Sequence, residues 1–128
     1  MGVKLNWDID TICELINVLD EVNDCSEDIY YAMSYKDLYT DCSPNSSEAS
    51  IRFANLVAKM EKDLDAAASK SSDAAAATYL ESCRWGYVNY KGLGLFLEFL
   101  ASNYSIGSRE FLLSAASDLH KAAAQTRK

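Results

Sequence analysis

Residues 47–69 read SEASIRFANLVAKMEKDLDAAAS, with apolar side chains at Phe53, Val57, Met60 and Leu64. Spacings of 4, 3 and 4 gather these four on one side of an α-helix, whereas on a strand they would scatter over both faces. No Gly or Pro interrupts the run. Beyond Leu64 the stripe continues only through Ala66, Ala67 and Ala68, which bury little area but let a neighbouring helix approach closely.

Working outward, the same periodicity recurs. Upstream lies a cluster of turn-formers, residues 41–47, around Pro44, the one proline in the chain. Before it the pattern predicts a helix from Ser26 to about Asp41, with Glu27 and Asp28 in the first turn where the helix dipole favours acids. The first predicted helix spans about residues 7–23, capped by Asn6 or Asp8. Its stripe is Ile9, Ile12, Ile16 and Leu19, widened by Cys13, Leu15 and Val22. Downstream, Ser72 caps a helix whose face is Ala76, Leu80, Cys83, Tyr87 and Tyr90. Gly92 and Gly94 then interrupt it or join two helices, by a hinge or a close crossing. A nearly all-apolar helix over 93–104 reads as central and buried, and Ser108 caps a last helix with Leu112, Ala115, Ala116 and Leu119 facing inward.

Composition agrees with this reading. The 128 residues include 17 Ala, five Gly and one Pro, where average usage of about 5% would give roughly six prolines. Halves of about 60 residues would sit near the limit of independent folding. The expected fold is therefore all-α, a single-domain antiparallel bundle of five or six helices over 1–128.

Charge is distributed unevenly. Residues 1–50 carry eleven acids against Lys4 and Lys36, a net of −9, while residues 51–128 carry eight acids and ten bases, a net of +2. Nucleic-acid binders need clustered Lys and Arg to release counterions from phosphates, and only Arg127 and Lys128 stand together. Nucleic acid is thus an unexpected partner and a basic protein an expected one. The most apolar run, residues 93–101, is far short of the roughly 20 residues that span a bilayer. No apolar leader opens the sequence, so the expectation is a soluble cytoplasmic protein without membrane contact.

The usual chemistries fail on spacing. Cys13, Cys25, Cys42 and Cys83 form no C-x-x-C pair, which removes zinc-finger and redox motifs. Cys13 and Cys83 are expected on apolar stripes as small hydrophobes; export with two disulfides is the alternative. Asp8 and Asp63 each begin like a calcium loop, but the sixth positions are Cys13 and Ala68 instead of Gly, and the twelfth are Leu19 and Ala74 instead of Glu. His120, the single histidine, is expected near a helix C-terminus, complementing the dipole, without glycines nearby. No metal, no cofactor and no catalytic residue is expected, and the protein reads as a non-enzyme.

The unusual feature is the predicted helix over 26–41, where Tyr30, Tyr31, Tyr35 and Tyr39 fall within ten residues and Tyr31, Tyr35 and Tyr39 share a side. Tyrosine brings large contact area at low entropic cost, and neighbouring carboxylates pair with a partner's Lys and Arg. The expected partner-binding face is Asp20, Glu21, Asp24, Asp28, Tyr31, Tyr35, Asp37 and Tyr39. By analogy alone, such physics suits small acidic immunity proteins, antitoxins and inhibitors. The alternative is a bundle carrying a small apolar ligand lined by Trp85, Tyr87, Tyr90, Phe96 and Phe99. A homodimer seam on the narrow or Ala-rich helical faces stays open.

Overall fold

Asp8 begins the first helix: its Oδ1 accepts from the Thr11 backbone N–H at 2.7 Å. These atoms belong to a computed structural model that describes residues 3, 5–25 and 46–126, without the side chains of 46–53. Among the described residues there are five helices and no strand: α1 (Ile9–Asp24), α2 (Ser46–Ala68), α3 (Asp73–Ser82), α4 (Tyr87–Asn103) and α5 (Arg109–Thr126). The all-α class stands. The helix expected over 26–41 lies outside the described residues, and with it Asp28, Tyr31, Tyr35, Asp37 and Tyr39.

One continuous hydrophobic cluster draws on all five helices. Each fully buried Leu or Ile in it contributes about 1.5–3 kcal/mol of transfer free energy. The α4/α5 interface is the most extensive, followed by α1/α2, and α2 also touches α3 and α4. Leu5 and Trp7 precede α1 and are buried, and the Trp7 indole N–H donates to Asp118 Oδ2 on α5 at 3.0 Å. Trp7 is therefore a non-helical anchor, although the pattern had placed it in the first helix.

The inward face of α1 is Ile12, Leu15, Val18, Leu19 and Val22. Relative to the expected stripe it is rotated: Ile9 and Ile16 are half-buried and Cys13 is exposed. On a 3.6-residue helix Cys13 falls on the same side as Asp10, Asn17, Asp20 and Asp24, which cannot be buried unpaired, so the thiol goes outward with them.

The largest departure is the break between the third and fourth helices. Ser72 caps α3 as expected, its Oγ accepting from the Ala75 N–H at 3.2 Å. The helix then stops at Ser82, Cys83 forms its C-cap, Arg84 turns the chain at φ +55°, and Gly86 starts α4 in extended geometry. The predicted continuous face from Ala76 to Tyr90 is thus split between two helices. Gly92 and Gly94, expected at an interruption, lie buried inside α4. Gly94 serves the close crossing: a Cβ there would stand 2.9 Å from His120 Cε1 on α5. At the far end of this pair, Arg109 Nη1 donates to the Ala101 carbonyl at 3.0 Å, placing a cation on the negative terminus of α4.

Candidate functional site

The carboxylates of α1 form its outer side. Asp10, Glu14, Asp20, Glu21 and Asp24 are all exposed along a helix that spreads them over about 21 Å at 1.5 Å per residue. Among the described residues none of the five forms an ion pair. Of the expected binding residues, Asp20, Glu21 and Asp24 therefore stand on the surface, and the other five fall in the segment outside the described residues.

Packing of α1 on α2 extends this face. Asn23 Nδ2 donates to Glu61 Oε2 at 3.4 Å. The Glu61 carboxyl is pushed above its ordinary value, first by partial burial and then by the charges of Asp20 and Asp65, against a smaller opposing effect of the Asn23 hydrogen bond. Beside it runs a groove of about 390 Å³ lined by Asn23, Ala54, Val57, Ala58, Glu61, Lys62 and Asp65. Its lining combines small apolar side chains with two carboxylates, one lysine and one amide. Sequence reasoning missed Asp10, Glu14, Glu61 and Asp65. The i, i+4 spacing of Asp10 and Glu14 was a readable signal, whereas the approach of Glu61 to Asp20 exists only once α1 and α2 pack.

The alternative ligand set is placed differently. Trp85, Tyr90 and Phe96 are buried, while Tyr87 and Phe99 are half-buried at the core's margin. Trp85 meets Tyr90 edge-on with ring centroids 5.6 Å apart, and Phe99 tilts against Tyr104 at 5.7 Å. The Trp85 indole N–H donates to Asp63 Oδ2 at 2.7 Å, and Lys59 Nζ reaches the same oxygen at 3.0 Å. Neither the groove above nor a smaller one of about 140 Å³, between Val3, Leu5 and Asn6 and the Asp118–Gln125 part of α5, is lined by these five residues.

His120 is not in the last turn of its helix, which continues to Thr126. It sits in the α4/α5 seam, Nε2 lying 2.9 Å from Glu98 Oε1, with Nδ1 buried and unpartnered. The glycine its ring needs for close approach comes from α4, not from its own helix. Nδ1 is closed off and Nε2 is engaged by Glu98, so this imidazole is arranged as a packing element. Among the described residues no three His, Cys, Asp or Glu converge to hold a metal, and no helix is long and apolar enough to cross a membrane.

The three described cysteines are free thiols. Cys25 Sγ donates to the Glu21 carbonyl at 3.0 Å. Cys83 is half-buried, and burial, then the Asp63 charge, pushes its thiol above the ordinary cysteine value. Cys42 lies outside the described residues. No known protein family, curated protein or solved structure matches the chain.

Proposed function

We propose that the chain is a single-domain antiparallel helical bundle that docks a basic protein partner, working by binding and not by catalysis. One observation carries the reading: a row of exposed carboxylates on α1 that lacks cationic partners among the described residues and is continued on α2 by Glu61 and Asp65. Like charges gathered this way repel one another in the free protein, and at Glu61 the charges of Asp20 and Asp65 add to partial burial in pushing the carboxyl above its ordinary value. Lys and Arg of a partner would relieve that repulsion while gaining charge-assisted hydrogen bonds. The same field repels nucleic-acid phosphates.

The docking face comprises Asp10, Glu14, Asp20, Glu21 and Asp24, with Asp28, Tyr31, Tyr35, Asp37 and Tyr39 following directly in the sequence. An immunity, antitoxin or inhibitor role is the kind of function this surface suits. The carrier reading gains no observation in its favour, because Trp85, Tyr90 and Phe96 pack within the core.

The test is capture from the native source at low and high salt. Wild type is compared with a variant carrying Asp10→Asn, Glu14→Gln, Asp20→Asn, Glu21→Gln and Asp24→Asn, and with a control neutralised at Glu81 and Glu110. A basic protein retained by wild type and the control, released by salt and lost from the five-site variant is the expected result. Capture indifferent to salt and to the five substitutions, with folding intact, overturns the proposal.

A further inference from the structure

No further inference is drawn: the strongest candidate, the groove between α1 and α2 lined by Asn23, Val57, Glu61, Lys62 and Asp65, belongs to the docking face already proposed, and nothing in the structure shows what covers it.

Discussion

The imidazole of His120 on α5 lies against Gly94 on α4 so closely that a methyl group at position 94 would stand 2.9 Å from Cε1 and 3.1 Å from Nδ1. The bond from His120 to Glu98 holds the ring there. Two effects oppose each other in Gly94→Ala. Helix propensity favours Ala by about 1 kcal/mol, and overpacking a tight seam costs about 1–3 kcal/mol. We expect a net loss of about 1 kcal/mol in urea denaturation. In a His120→Ala background the clash is gone and the same substitution should stabilise by about 0.5–1 kcal/mol. An effect of the same sign in both backgrounds would show that the ring does not set the requirement for glycine.

Two of the described residues occupy left-handed backbone, and their substitutions should act in opposite directions. Arg84 has φ +55° after α3, where glycine adopts the conformation without a Cβ penalty, so Arg84→Gly is expected to stabilise by about 0.5–1 kcal/mol. Gly107 has φ +68°, and an added Cβ would stand 3.0 Å from Val18 Cγ2. Gly107→Ala is expected to cost about 1–3 kcal/mol from backbone strain and the contact with α1. Thermal or urea midpoints of the two variants check this, and a stabilised Gly107→Ala would contradict the turn geometry.

Thiol reactivity should separate the cysteines. The thiolate is the reactive form, and Cys83 is held protonated by burial and by Asp63, while Cys13 is exposed on α1. With a thiol-specific reagent at neutral pH, peptide mapping is expected to find Cys13 modified well before Cys83. Asp63→Asn keeps an acceptor for the Trp85 indole but removes the charge, and should speed labelling of Cys83 alone. Equal rates at both thiols in the folded protein would count against the placement of Cys83.

Glu61 gives a pH signature. Its carboxyl is raised above the ordinary 4.5, so the folded state retains this proton to higher pH than the unfolded chain does. Stability is therefore lost as pH rises from the unfolded value through the folded one, and the penalty is complete above it. Glu61→Gln is expected to raise the melting temperature at pH 7 and to leave it nearly unchanged at about pH 3, well below the unfolded value, where the carboxyl is protonated in both states. Added salt should shrink the gain at pH 7 by screening Asp20 and Asp65. A rise of equal size at both pH values would assign the effect to something other than charge.

Much of the fold was legible because helical periodicity is local. The stripe Val57, Met60 and Leu64, the Ser72 cap and the inward face Leu112, Ala115, Ala116 and Leu119 all appear where the pattern put them. The glycine pair was less legible, since Gly92 and Gly94 look alike in sequence whether they break a helix or admit a neighbour. Only the position of His120, 26 residues further on, distinguishes the two. The break at Arg84 carries no glycine at the turning residue itself, and Gly86, two residues on, was the one sequence signal that marked it.

The acidic face divides in the same way. That α1 carries many carboxylates and the chain few clustered bases is a property of the sequence, because charge and composition need no fold. Which residues look outward together was decided by packing. Burial of Ile12, Leu15, Val18, Leu19 and Val22 set the rotation of α1, and that rotation turned Cys13 and the carboxylates to one side. The packing of α1 on α2 then brought Glu61 within the field of Asp20, some forty positions earlier in the chain, adding to that of Asp65 one turn along its own helix. Sequence spacing reports only neighbours within a few turns of the same helix; proximity across two helices is fixed by how their apolar faces meet.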